Sequence, residues 1–468
     1  MFGLPPELLF LLIICLLAAC AFEFVNGFHD TANAVATVIY TNALRPWVAV
    51  VWSGFWNFIG VFAGGIGVAM AIVYLLPVEA LIDQNVYHGI AMIGALLISA
   101  IIWNLGTWYY GLPSSSSHTL IGSILGVGIA FSALPDNTSG TAVNWGEAGK
   151  TGMSLIVSPL LGFTLTVILM FILKRFVKNK SIFKEPHKRK PPPLWIRLIL
   201  ILTCTLVSFF HGSNDGQKGV GLIMLILIGI VPIHFALDTS KDPQQITRSL
   251  GQVEQVVNNV NLATLAPKET KNIQQMKANI SDMHQLFSSV DRIHALPEKS
   301  RFMVRKNILL LTKESENLLK SPYVSMSLAD RERLTTNIEE MRSFTDYAPT
   351  WVISIVAISL GIGTMVGWKR IVKTIGEKIG KEHLTYAQGA SAELMAAGVI
   401  GFSTFVFKLP VSTTHILSSG IAGSMVANRG IKNLNPTTVR NIALAWVLTL
   451  PVSMFLSGTL FLLFRWMI

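Results

Sequence analysis

Charge is what this sequence is short of. Of its 468 residues only 13% are Asp, Glu, Lys or Arg, while 51% are hydrophobic and the mean hydropathy is +0.54. A soluble chain carries about 25% charged residues, so most of this one has no water to face. Cysteine is scarce too. Cys15, Cys20 and Cys204 lie in apolar runs, which makes them core residues and implies no disulfide framework. No Lys or Arg precedes Arg45, so the opening run lacks the basic segment of a secretory signal. Leu17-Ala18-Ala19-Cys20 resembles a lipoprotein cleavage site, but the first run is expected to be retained.

What the chain has in abundance is apolar stretches of about 20 residues, long enough to cross a bilayer. Eleven such runs lie between residues 7 and 464, among them 7–25, 46–74, 196–211 and 217–236. Several contain polar clusters, which leaves the number of crossings open. The net charge of +11 does not point to nucleic acid, because it is concentrated between spans. The densest basic segment, Lys174 to Lys190 with Lys178, Lys180, Lys184, Lys188 and Arg189, is a juxtamembrane loop that the positive-inside rule puts in the cytoplasm. Loops bearing Glu79 and Asp83, or Asp136 and Glu147, suit the outer side, and the N-terminus is then outside.

Two polar motifs occur twice. Asn26-Gly27-Phe28-His29-Asp30-Thr31-Ala32-Asn33 parallels His211-Gly212-Ser213-Asn214-Asp215-Gly216-Gln217-Lys218, with Gly27 opposite Gly212 and Asp30 opposite Asp215. Leu112-Pro113-Ser114-Ser115-Ser116-Ser117-His118 parallels Leu409-Pro410-Val411-Ser412-Thr413-Thr414-His415. From Asp30 to His118 is 88 positions, and from Asp215 to His415 is 200. The difference of 112 is close to the length of the one long hydrophilic stretch, 237–348. The chain therefore reads as a first transmembrane repeat over 1–175, a basic Pro-rich linker over 176–194, and a second repeat over 195–236 and 349–468, interrupted by a hydrophilic insert. The insert is near neutral, with 15 basic and 14 acidic residues. Apolar residues at three- and four-residue spacing in Ile273–Leu286 and Val304–Leu319 predict a small helical domain.

Ionisable residues at membrane depth are costly and mark function. Asp30 and Asp215 each stand between apolar spans, and Gly27, Gly212 and Gly216 allow the helix to break beside them. Such a carboxylate can hold a proton or a metal cation. The Pro-Ser/Thr motifs suit an oxyanion. Proline belongs in the first turn of a helix, whose amides and dipole favour negative charge. The hydroxyls of Ser114, Ser115, Ser116, Ser117, Ser412, Thr413 and Thr414 add donors. His29, His118, His211 and His415 fall inside the motifs, where imidazole could handle protons. No close spacing among them marks a fixed metal site, and no resident cofactor is called for. A hydrolase is the reading from another class. Ser117 and His118 point to different helix faces, Ser114 and His118 could touch, and no single third group orients the histidine. An anion channel is a further alternative, which accumulation against a gradient would exclude.

On these motifs, together with Ile375–Gly380 (IGEKIG) and Tyr386-Ala387-Gln388-Gly389, the sequence resembles the bacterial branch of the Pit family of low-affinity inorganic phosphate transporters. The resemblance runs along nearly the whole chain, insert included. It implies an all-α integral membrane protein of the bacterial inner membrane, with an inverted-repeat secondary-transporter fold of broken helices and helical hairpins. It implies symport of inorganic phosphate driven by a proton, with sodium as the alternative, the phosphate moving as a neutral complex with a divalent metal. Carried onto this chain, Asp30 and Asp215 become coupling-cation residues, Asn33 and Asn214 supporting ligands, and the Ser/Thr runs phosphate ligands. Sodium-coupled relatives carry a Glu in the next span of each half. The second-half position reads as Glu393 and the first-half one as Asn57, a lost carboxylate that favours protons. A sulfate permease of the same fold is the nearest rival. A homodimer is compatible with this reading.

Overall fold

A computed structural model of the chain describes residues 3–76, 86–135, 143–187, 190–260, 267–288, 290–322, 324, 326–369, 371, 372, 374 and 378–467. Glu79, Asp83, Asp136, Lys188, Arg189 and the Ile375–Glu377 part of the IGEKIG motif lie outside the described residues. Every named element among the described residues is helical. In chain order the longer helices are α1 (Pro6–Tyr40), α2 (Pro46–Ala63), α3 (Gly67–Val73), α4 (Val86–Tyr109), α5 (Ser116–Ser132), α6 (Trp145–Phe176) and α7 (Leu194–Ile230). There follow α8 (Pro243–Asn259), α9 (Pro267–Phe287), α10 (Glu298–Lys320), α11 (Leu328–Arg342), α12 (Thr350–Thr364), α13 (Tyr386–Phe402), α14 (Thr413–Arg429) and α15 (Pro436–Met467). Seven helices are long and apolar enough to cross a membrane among the described residues, and α5 and α12 are shorter apolar helices.

The chain divides into two compact units. One is built mainly on Leu227–Tyr347, the other on Pro6–Pro77, Asn85–Ile226 and Ala348–Ile468. The first holds α8 to α11 around a core of its own. On α8, Ile246, Leu250, Val253 and Val257 recur at helical spacing and are all buried. They pack with Ile273 and Ile280 of α9, Ile308 and Leu311 of α10, and Leu334 and Met341 of α11. One buried cation sits here: Arg305 donates from Nη1 to the carbonyls of Ala236 (3.1 Å) and Thr345 (3.3 Å).

The second unit carries the repeated motifs. Its outer helices turn apolar side chains outward, as a lipid-facing surface must: Leu160 and Phe171 on α6 and Val447 and Phe455 on α15 are all exposed. Its helices pack closely as α1 with α12, α12 with α2, α14 with α6 and α15 with α5. Two glycines explain how. A Cβ at Gly27 would run into the carbonyl of Leu360, and one at Gly212 into the carbonyl of Asn57. Small residues let helix backbones approach in this way.

That packing corrects one expectation. The helix does not break at the Gly/Asp motifs. Residues 26–33 lie inside the 35-residue α1, and residues 196–230 run through one helix, the 37-residue α7, rather than through two apolar runs. The glycines serve close approach, and Asp30, Asn33, Asn214 and Lys218 find partners on neighbouring elements without any bend in the helix.

The breaks fall at the Pro-Ser/Thr motifs. The helices α4 and α5 pack together, as do α13 and α14, and each pair is joined at such a motif. The chain reverses through a left-handed residue two positions before each proline, Gly111 (φ 65°) in one and Lys408 (φ 56°) in the other. A π-helical turn, Ser403–Phe407, precedes Lys408. Neither proline occupies the first helical turn, as the sequence had suggested. Pro113 and Pro410 each lie three residues before their helix, and Ser115 and Ser412 are the N-caps. Serine wins that position because its hydroxyl accepts a first-turn N–H, which proline cannot do.

Candidate functional site

The caps set the geometry. Ser115 Oγ accepts the His118 amide at 3.1 Å and Ser412 Oγ the His415 amide at 3.2 Å. With those two hydroxyls committed, the next residues of each helix start face α1 and α7. Ser116 Oγ donates to Asp30 Oδ2 at 2.8 Å and reaches Asp215 Oδ2 at 3.5 Å. Thr414 Oγ1 donates to Asp30 Oδ1 at 2.5 Å. Both helix starts therefore converge on one carboxylate. Asp30 and Asp215 are each at most 1% exposed.

Around them the two motifs divide the work. On α1, Asn33 Nδ2 donates to Asp30 Oδ1 (3.3 Å) and Thr414 Oγ1 (2.9 Å). His29 lies with Nδ1 3.3 Å from Asp30 Oδ1 and Nε2 3.3 Å from Thr107 Oγ1. On α7, Asn214 binds backbone and hinge: Nδ2 donates to Thr404 Oγ1 (2.8 Å) and Leu409 O (3.2 Å), and Oδ1 accepts the Val411 amide (3.2 Å). His211 Nδ1 is 2.9 Å from Asn57 Oδ1, and its Nε2 lies 3.9 Å from Asp30 Oδ2 and 3.6 Å from Asp215 Oδ2. Asp30, His211 and Asp215 each offer one ligand atom, all within 4.8 Å of one another, a set of hard oxygens and one imidazole that suits a divalent cation. Sequence spacing gives no hint of this grouping, since His211 and Asp30 meet only across two helices.

The remaining predicted residues are elsewhere. Ser114 Oγ pairs with Thr449 Oγ1 of α15 at 2.7 Å. Thr413 is buried, and its Oγ1 has no hydrogen-bond partner among the described residues. Ser117 Oγ donates to Val411 O at 2.8 Å. His118 and His415 pack ring against ring, centroids 4.4 Å apart, with His415 stacked on Trp446. His118 Nδ1 meets Ser115 Oγ, its cap, at 2.8 Å, while Ser114, the serine that the hydrolase reading set beside His118, pairs with Thr449 instead. Glu393 accepts from Thr203 Oγ1 at 2.5 Å.

The pairing of Glu393 with Asn57 does not hold. Glu393 is on α13, 17 residues before Pro410, and the residue 17 before Pro113 is Leu96 on α4. Asn57 is on α2, where its Nδ2 donates to Thr364 Oγ1 of α12 at 3.0 Å. It is a hydrogen-bonding partner of His211 rather than a lost carboxylate.

Two buried ionisable residues of the membrane-spanning unit went unassigned in the sequence. Lys218, 2% exposed, donates from Nζ to Asp215 Oδ1 (2.7 Å), Ser117 Oγ (2.5 Å) and Val411 O (2.9 Å). Glu23, fully buried on α1, accepts from Asn26 Nδ2 at 3.4 Å. The available signal was the same one that marked Asp30: a charge inside an apolar span.

Buried carboxylates, imidazoles and hydroxyls gathered at two helix starts, inside a bundle with an apolar exterior, define a polytopic membrane carrier of charged solutes. The chain belongs to the phosphate transporter family, whose model matches residues 26–457. It is 41% identical to the low-affinity inorganic phosphate transporter PitB of Escherichia coli K12, with 96% of each chain covered. It is likewise 41% identical to PitA of the same organism, over 98% of this chain and 97% of that one. A probable low-affinity inorganic phosphate transporter of Bacillus subtilis is 30% identical over 95% of each. Among solved structures, one described as the sodium-dependent phosphate transporter matches with a TM-score of 0.56 and 20% identity, covering 98% of this chain and all of that one, a likeness of fold. These relatives are transporters, not enzymes. With seven membrane-length helices among the described residues, the chain is a multi-pass protein of the bacterial inner membrane.

Proposed function

We propose that this chain is a symporter of inorganic phosphate, driven by protons, that carries phosphate together with a divalent metal ion. The observation that carries the reading is the convergence of Ser116 and Thr414, from two separate helix starts, on the single buried carboxylate of Asp30. Helix starts present amides and a positive dipole end to an anion. The carboxylate beside them supplies the counter-ion site. The Asp30, His211 and Asp215 group would receive the cation, and the Ser116, Ser117, Thr413 and Thr414 side the phosphate oxygens.

The same reading takes the unit of α1 to α7 and α12 to α15 as two repeats in inverted orientation, with Leu227–Tyr347 inserted in the second. Element lengths support it: α1 and α7 have 35 and 37 residues, α5 and α14 17 each, and α6 and α15 32 each, with Pro159 and Pro451 inside the last two. Contacts support it as well. Gly54 faces Gly361 across the α2–α12 contact, and Asn57 meets Thr364, both pairs 307 positions apart. His29 reaches Thr107 just as Asn214 reaches Thr404.

Purified protein in lipid vesicles provides the test, with pH gradient, sodium and magnesium varied separately. Proton coupling is expected to show as phosphate uptake in sodium-free buffer that a protonophore collapses. Uptake that persists with the protonophore, or that needs sodium, would move the reading to the sodium-coupled alternative. Metal co-transport is expected to show as magnesium entering with phosphate. Equal uptake of sulfate would replace the phosphate reading with the sulfate one.

A further inference from the structure

The two motif helices differ at the third residue after the acid: Asn33 follows Asp30, and Lys218 follows Asp215. The two side chains have matching neighbours. Asn33 bridges Asp30 Oδ1 to the hydroxyl of Thr414 on one helix start, and Lys218 bridges Asp215 Oδ1 to the hydroxyl of Ser117 on the other. Thr414 and Ser117 hold the same place in their motifs, directly before His415 and His118. One change, amide for ammonium, therefore separates two otherwise corresponding positions.

The chemistry of the change is specific. Asn33 spends its amide hydrogens on Asp30 and Thr414 and leaves Oδ1 buried with no hydrogen-bond partner among the described residues. A buried unpartnered carbonyl oxygen is costly unless something binds it. Its amide nitrogen already meets the Asp30 carboxylate and the Thr414 oxygen, so a half-turn of the amide would set Oδ1 beside those two oxygens as a third ligand for a cation. At the other position an ammonium is already present. Lys218 has three N–H donors and three oxygen acceptors, a carboxylate, a hydroxyl and the carbonyl of Val411, at 2.5 to 2.9 Å. That is the ligand set of a small monovalent cation, filled by a side chain.

We propose that Lys218 is a tethered cation, its ammonium standing where the second motif would otherwise hold an exchangeable monovalent ion, so that only the Asp30–Asn33 position binds and releases a coupling cation. Lys218 is thus a residue that sets ion specificity and stoichiometry. The inference rests on the symport reading above. It accounts for Asp215 being matched within its own helix, whereas the partners of Asp30 are hydroxyls, an amide and imidazoles. A fixed ammonium also removes one ion from the transport cycle, which lets the carrier work without a second bound cation.

The experiment counts sodium ions bound per chain and measures sodium dependence of phosphate uptake for wild type, Lys218→Asn and Lys218→Met. Lys218→Asn restores the residue found at 33 and is expected to bind one more sodium ion per chain than wild type, with uptake acquiring or steepening a sodium dependence. Lys218→Met supplies neither charge nor oxygen and is expected to gain no ion. Equal sodium binding by wild type and folded Lys218→Asn overturns the proposal. Should neither variant fold, wild type decides alone: at most one sodium per chain agrees, and two overturn it. Wild-type phosphate uptake in the same vesicles reports separately on the symport reading, since the ion count does not depend on it.

Discussion

The Asp30 and Asp215 neighbourhoods began as the same pattern and ended as different devices. Asp30 takes hydrogen bonds from both helix starts, from Asn33 on its own helix, and lies beside two imidazoles. Asp215 is held by Lys218 one turn along α7, and its helix-start contact is the longer one from Ser116. Asp30 is thus an acid whose polar neighbours are arranged around it from several helices, ready to accept a cation. Asp215 is half of a local ion pair. A duplicated motif keeps its geometry when one residue changes, and loses its equivalence of charge.

The largest expected effect tests Asp30. Asp30→Asn should lower phosphate uptake about 100-fold or more while the protein still reaches the membrane, because several buried donors lose their common acceptor charge. Uptake near wild type would end the claim that the helix starts converge on a working carboxylate. Asp215→Asn should act more through stability. It strands a buried ammonium, at a cost of about 3 kcal/mol or more. The double change Asp215→Asn with Lys218→Asn should recover a good part of the lost thermal stability, measured in detergent, whereas additive losses would mean the pair is not coupled.

A smaller contrast lies between the helix starts. Ser116 touches Asp30, and Thr413, in the corresponding place, has no hydroxyl partner among the described residues. Ser116→Ala should raise the phosphate concentration for half-maximal uptake by roughly five-fold, the worth of one hydrogen bond of about 1 kcal/mol. Thr413→Ala should raise it less if its hydroxyl serves phosphate alone, and no change in either would remove the hydroxyls from phosphate binding. The smallest effects belong to the caps. Ser115→Ala and Ser412→Ala should each cost about 1 kcal/mol of stability, read as a lowered melting temperature, with similar size in both. A large loss of uptake from one cap only would show that its hydroxyl does more than hold the helix start.

The polar interiors of the two units sharpen the same lesson. Around α8 to α11 the core is almost wholly Val, Leu, Ile, Met and Phe, and Arg305 is tied to backbone carbonyls. Periodicity alone foretold the helices there: Ile273–Leu286 lies within α9 and Val304–Leu319 within α10. In the membrane-spanning unit, periodicity says little, because helices there are apolar on most sides. Its information is in the exceptions, such as Glu23, Asp30, Asp215 and Lys218, charges inside apolar runs.

The sequence by itself determined the class: too few charges to be soluble, long apolar runs, and two pairs of matching motifs that mark acids and hydroxyls as the working parts. It did so because burying charge in a bilayer is expensive, so each such residue stands out against its background. Tertiary structure alone decided how those residues combine. It kept α1 and α7 unbroken by placing Gly27 and Gly212 against neighbouring backbones, assigned Ser115 and Ser412 to capping, and brought His211 between two acids from different helices. It also paired Lys218 with Ser117, 101 positions away. Contacts of that kind depend on helix rotation and separation in space, which a linear spacing does not encode.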